Sequence, residues 1–150
     1  MDEGDDVLAC RFDGQAEYFP EHRAEGRVLM VGVRCRLGDG YEEIALLDTG
    51  AEWSVLSSEA AIAVASHLEH VEPLVMSTRL GKVSGTLCRL PVTLVADEGS
   101  DIKLEASVLV SDDWTGPLVL GYRGFLANLR ISIDPGSRDF HARFLFGLSS

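Results

Sequence analysis

The sequence predicts a mostly β chain of closed or sandwich-like architecture, with one or two short helices. Three observations carry that expectation. Short runs rich in valine, isoleucine and leucine recur along the chain, several alternating apolar with polar. Turn signals separate them, among them Gly38-Asp39-Gly40 and Asp134-Pro135-Gly136-Ser137. Helical signals are confined to two short stretches.

In chain order, Arg27 to Leu37 alternates and is valine-rich, which reads as a strand. Glu42 to Leu47 is a second strand, and its closing apolar run suggests burial on both faces. Ser57-Ser58-Glu59 suits a helix start, because a serine hydroxyl caps free N–H groups and an acid suits the first turn. That helix is expected to reach about Leu68, with Ala61, Ala65 and Leu68 on one face at helical spacing. Leu74 to Leu80, Thr86 to Val95 and Ile102 to Val110 read as three more strands, with Gly81 to Gly85 as a hairpin tip and Ser111 to Pro117 as a loop. Leu118-Val119-Leu120-Gly121 is a short apolar run closed by glycine, and Tyr122 to Leu129 suits a short helix. Arg130 to Asp134 and Asp139 to Phe146 are expected to pair antiparallel across the Asp-Pro-Gly-Ser turn.

The length of 150 residues fits a single domain. Residues 1–24 are charged and aperiodic and are expected to form a flexible tail, with Phe12, Tyr18 and Phe19 available to dock on a body spanning 25–150. Apolar residues make up 46% of the chain, enough for a core without metals or disulfides. The net charge of −11 offers no basic stripe for nucleic acid and disfavours an anionic membrane surface; its plain consequence is solubility. Cys10, Cys35 and Cys88 match no zinc or Cys-x-x-Cys spacing, and the latter two lie in strand-like runs, which implies buried thiols in a reducing compartment. Met1 to Asp6 is acidic, unlike a signal-peptide start, and no apolar run approaches the ~18 residues a membrane span needs. A cytoplasmic location is expected.

The chemistry concentrates at Ala45-Leu46-Leu47-Asp48-Thr49-Gly50-Ala51, followed by Ser54-Val55-Leu56. A buried strand would place Asp48. Gly50 permits close backbone approach, the Thr49 hydroxyl can bond to a facing loop, and Ala51 leaves room for a substrate backbone. His67 and His70 stand three apart but have no third ligand, so no metal site is expected. No serine or cysteine has a recognisable histidine setting, and no phosphate-binding glycine loop is present.

The twelve residues ALLDTGAEWSVL resemble the catalytic motif of the retropepsin-like aspartic proteases. Leu118-Val119-Leu120-Gly121 resembles the apolar strand and glycine that pass behind the catalytic loop in that family, and the likeness extends from about Arg27 to Phe146. The resemblance implies an acid-protease β-barrel forming half of a two-fold symmetric dimer. It implies Asp48 as catalytic carboxylate, Thr49, Gly50 and Ala51 for loop bracing and substrate backbone, and Leu120 and Gly121 as support. The hairpin between Leu74 and Val95 falls where the family has its flap, with a tip near Arg79 to Ser84 that includes Leu80, Gly81, Lys82 and Val83; Gly81 and Gly85 are expected to make it flexible. Trp53 is a candidate pocket residue, and Trp114 is expected to be structural. The family's arginine after the supporting glycine is replaced by Tyr122, with Glu52 and Arg123 as a shifted equivalent.

Water activation between carboxylates needs two of them, and the chain has one Asp-Thr-Gly. A homodimer acting on a peptide or protein substrate follows, with no metal or organic cofactor required. The alternative is a non-catalytic dimerisation or peptide-binding module on the same fold.

Overall fold

Residues 12–22, 29–78, 81–134 and 142–149 are described by the computed structural model. Among them twelve strands dominate: β1 Gly14–Glu17, β2 Phe19–His22, β3 Leu29–Leu37, β4 Tyr41–Leu47, β5 Ser54–Val55, β6 Glu69–Thr78, β7 Gly81–Leu94, β8 Glu98–Gly99, β9 Ile102–Val110, β10 Val119–Leu120, β11 Leu129–Asp134 and β12 Arg143–Leu148. An α-helix, α1, spans Ser58–Ala63, and short 3-10 turns cover Ala65–His67 and Leu126–Asn128. No described helix is long and apolar enough to cross a membrane.

Six strands close a barrel in the order β3-β4-β10-β5-β9-β7. Closure comes from β3 sharing one edge between two partners. Its first half pairs with β2, from Leu29↔His22 to Gly32↔Phe19. Its second half pairs with β7, from Cys35↔Leu94 to Leu37↔Val92. Closing the sheet removes edges that would otherwise expose unpaired N–H and C=O groups. Strand β6 extends from β7 as a long hairpin. A second sheet, β11-β12-β1-β8, packs beside the barrel.

The main core joins both sheets. Phe125, Phe144 and Phe146 are fully buried with Leu37, Leu90, Leu94, Leu118 and Leu120. The Phe144 and Phe146 rings lie 5.5 Å apart in a tilted pair.

Several expected boundaries shift. Part of the expected tail is ordered: β1 pairs with β12 from Gly14↔Phe146 to Glu17↔Arg143, and Ala16 and Tyr18 are buried. Alternate small and aromatic side chains on one face of this short segment reach the core, a signal its charges obscure. The helix begins as expected, with the Ser57 hydroxyl accepting from Ala60 N–H at 3.1 Å. It ends at Ala63, however, before β-branched Val64, and buries Ala60 and Val64 while Ala65 is exposed. Between Tyr122 and Leu129 only a 3-10 turn forms, because Gly124 sits at φ +75, through which a right-handed helix cannot continue. The hairpin is longer than expected, pairing from Glu69↔Arg89 to Thr78↔Gly81, so Gly81 to Gly85 lies within β7. Gly85 is a packing glycine, since a Cβ there would overlap the Val110 carbonyl. Residues 139–141 of the last expected strand lie outside the described residues.

Cys35 and Cys88 are free and buried; Cys10 lies outside the described residues. Burial, followed by the charges of Glu43 and Glu42, pushes the Cys35 thiol up to about 12, and burial also raises Cys88. Both are therefore protonated at pH 8, and a thiol reagent should label them only when the chain unfolds. Mass spectrometry of native and urea-treated protein checks this. Phe146→Ala should destabilise the chain by about 3–5 kcal/mol in urea titration, because one fully buried ring joins the two sheets.

Candidate active site

Strand β4 ends at Leu47, and Asp48 opens the loop that follows. Its position is fixed by β10, which lies between β4 and β5. Val119 and Leu120 pair parallel with Leu46 and Leu47, and Val119 pairs antiparallel with Val55. Asp48 N–H donates to the Leu120 carbonyl at 3.0 Å. The Asp48 carbonyl accepts from Ala51 N–H at 3.1 Å, and Asp48 Oδ1 accepts from Gly50 N–H at 2.9 Å. The carboxylate is half-buried and pairs with no cation among the described residues, while Thr49 and Gly50 are exposed. A Cβ at Gly50 would meet Asp48 Oδ1 at 3.2 Å and otherwise open space.

Gly121 carries the return path behind this loop. A Cβ there would overlap the Trp53 carbonyl group and come within 2.9 Å of Ala51 O. Gly121 N–H donates to the Ser54 hydroxyl at 2.9 Å, and Ser54 is fully buried. Tyr122 and Arg123 then donate to Ala51 O and Glu52 O at 2.9 and 2.8 Å. The loop is thus stitched to β10 and its extension from Asp48 to Glu52.

The shifted acid–base pair is present. Arg123 lies 3.6 Å from Glu52, and its guanidinium sits 5.5 Å from the Trp53 ring centroid. Both charged groups are more than half exposed, so the pair contributes little stability; it orients Arg123 over the indole.

Trp53 also packs against a second apolar cluster. Val55, Met76, Val83 and Leu109 are buried together, with Trp53, Leu74 and Trp114 against them. This cluster joins the β6–β7 hairpin to the Asp48 side of the barrel. The Ser111–Pro117 loop is pinned there: the Ser111 hydroxyl donates to Ser84 O, and Trp114 Nε1 donates to Pro117 O at 2.9 Å. Val83 therefore points into the cluster, whereas Lys82 and Gly81 are exposed beside the hairpin turn, Gly81 with φ +121. Leu80 and Arg79 lie outside the described residues.

Asp48, Thr49, Gly50 and Ala51 lie on one loop, and Leu120 and Gly121 run behind it. Ser54 holds Gly121, and Met76 and Leu74 pack in the cluster beside Trp53, none with a role that the sequence assigns; a lone serine within Ser54-Val55-Leu56 is the legible sign for the first. His67 reaches Asp39 at 3.3 Å while His70 reaches Cys88 Sγ at 3.5 Å, so the two histidines serve separate contacts. No group of three or more potential metal ligands occurs among the described residues.

This loop is carried by the closed six-stranded barrel. No protein-family model and no curated protein matches the sequence. Among solved structures the chain is similar to a retropepsin-like aspartic protease from Rickettsia conorii, with TM-score 0.53, 16% identity, and coverage of 89% of this chain and 98% of that one. At that identity the likeness defines the fold.

Gly121→Ala should be markedly more destabilising than Ser54→Ala. The first forces the Trp53 carbonyl aside; the second strands a buried N–H at a cost of about 1–3 kcal/mol. Urea titration of both variants checks the order.

Proposed function

We propose that this chain is an aspartic endopeptidase that works as a homodimer, with Asp48 of each copy supplying half of a carboxylate pair. The observation that carries the reading is the fixing of Asp48 by Leu120 O and Gly50 N–H on a loop braced by Gly121. One exposed loop with one carboxylate does not activate water by itself; two such loops face to face do. Two adjacent carboxylates cannot both ionise and so share a proton. The ionised member takes a proton from water, and the protonated member donates to the peptide carbonyl under attack. Exposed Thr49 braces the facing loop, and Gly50 and Ala51 meet the substrate backbone. The chemistry calls on no metal or organic cofactor.

In this reading the β6–β7 hairpin is the flap that closes over the peptide. Its support is the apolar cluster linking Met76 and Val83 of the hairpin to Trp53 and Val55 beside Asp48. Trp53, Leu74 and Trp114 then offer partly exposed apolar surface to substrate side chains. Free buried thiols at Cys35 and Cys88 support a reducing, cytoplasmic setting.

The test is cleavage of a diverse unstructured peptide pool between pH 4 and 7. Asp48→Asn should lower cleavage by at least about a hundred-fold with a nearly unchanged melting temperature, because an asparagine oxygen still accepts from Gly50 N–H. Equal cleavage by a clean Asp48→Asn preparation would remove the mechanism. Absence of cleavage by dimeric wild type would favour a non-catalytic peptide-binding module.

A further inference from the structure

The β6–β7 hairpin reaches beyond the barrel that carries it. Strand β7 pairs with β9 from Leu94↔Ile102 back to Thr86↔Val110, where that ladder ends. From Gly81 to Gly85 only β6 remains beside it among the described strands. Apolar contacts hold this projecting length down through Leu74, Met76 and Val83. Its outward backbone groups need other partners.

The ladder fixes which groups those are. The hairpin closes at Thr78↔Gly81, so by alternation 78↔81, 76↔83 and 74↔85 are the hydrogen-bonded pairs of β6 and β7. The N–H and C=O of Ser84 and Thr86 therefore point away from β6. Across the gap, Leu109 O accepts from Leu56 N–H, so Leu109 faces β5 and Val110 faces β7. Thr86 and Val110 are thus a hydrogen-bonded pair, and the next rung in register would set Ser84 opposite Asp112. The chain turns at Asp112 and Asp113 instead, and β9 supplies no such rung.

Two side chains supply it. The Ser111 hydroxyl donates to Ser84 O, and Asp113 Oδ2 accepts from Ser84 N–H at 3.4 Å. The Ser111 hydroxyl also accepts from Asp113 N–H at 3.0 Å, so the same turn that removes the backbone rung assembles its replacement. The loop bearing them is fixed in turn: the Trp114 indole donates to Pro117 O at 2.9 Å, and Trp114 O accepts from the Ser58 hydroxyl at 3.5 Å. A backbone rung breaks only when strands separate. A side-chain rung breaks when two short side chains rotate, and the β7–β9 ladder stays whole.

We propose that Ser111 and Asp113 are a latch on the hairpin. With the latch made, Met76 and Val83 lie buried in the cluster beside Trp53. With it broken, the hairpin lifts as a unit from the last shared rung, Thr86↔Val110, and uncovers that cluster. The bearing of the latch on peptide entry rests on the enzymatic reading above; the latch itself does not.

The test reads lifting without cleavage. Val83 is 7% exposed, so in a Val83→Cys variant with Cys10→Ser the introduced thiol reacts with a thiol reagent only when the hairpin lifts, while Cys35 and Cys88 stay protected in the core. Adding Ser111→Ala should speed its labelling about three- to tenfold, and Asp113→Ala about two- to threefold, as loss of one modest hydrogen bond allows. Asp113→Asn should leave the rate unchanged, because the amide oxygen still accepts from Ser84 N–H. Labelling that Ser111→Ala does not speed, or that is already as fast as a free thiol before it, would overturn the latch. So would faster labelling that extends equally to Cys35 and Cys88, which means general loosening. Latch-dependent labelling in a protein that cleaves no peptide would remove the enzymatic reading alone; Asp48-dependent cleavage with latch-independent labelling would remove the latch alone.

Discussion

The bond from Asp48 N–H to Leu120 O is the contact on which the site depends. It exists because β10, only two residues long, is inserted between β4 and β5 and is parallel to one and antiparallel to the other. An insertion this short is held by burial: Leu118 and Leu120 are fully buried, and Val119 nearly so. Immediately beyond it the chain must pass against the Trp53 carbonyl, where only glycine fits. The same crossing puts Tyr122 and Arg123 within reach of Ala51 and Glu52. Fixing one carboxylate therefore also fixes the loop around it; in the proposed dimer this leaves Asp48 little freedom to lose when the second loop or a substrate arrives.

The two apolar clusters divide the work. The larger one joins barrel and second sheet through Phe125, Phe144 and Phe146 and supplies most of the buried area. The smaller one lies between the hairpin and the Asp48 side and contains four buried residues. A hairpin anchored by so few apolar contacts opens at lower cost than the barrel does. In the proposed enzyme, that is the property required of an element that admits a peptide and then excludes water. Trp53 packs against the small cluster, and its ring also carries the Arg123 guanidinium.

Much of this is legible in the sequence, for identifiable reasons. Strand β9 is readable because Ile102 to Ser107 alternates and an apolar run, Val108 to Val110, closes it between two turn signals. Asp48 and Gly121 are readable because each is punctuation after an apolar run, where a chain that continued as strand would have no use for Asp-Thr-Gly or a closing glycine. The N-terminal strands are not, since β1 spans four residues and its burial depends on β12, more than a hundred residues away. The same limit hides the shortened second helix. The 122–129 stretch reads as a short helix, but Gly124 adopts φ +75 where the chain turns behind the Asp48 loop, and the helix cannot pass through it. Gly85 looks like a hinge and is a point of close approach to β9, a distinction that requires knowing what lies opposite.

The central claim is that one catalytic centre needs Asp48 from two copies. Mixing wild type with Asp48→Asn at fixed total concentration tests it most directly, provided subunits exchange freely. A shared centre makes activity fall with the square of the wild-type fraction, so an equal mixture keeps about one quarter of the wild-type rate, because symmetric association pairs copies at random. Proportional decline, to about one half in the equal mixture, would mean that each chain carries a complete site and would contradict the account.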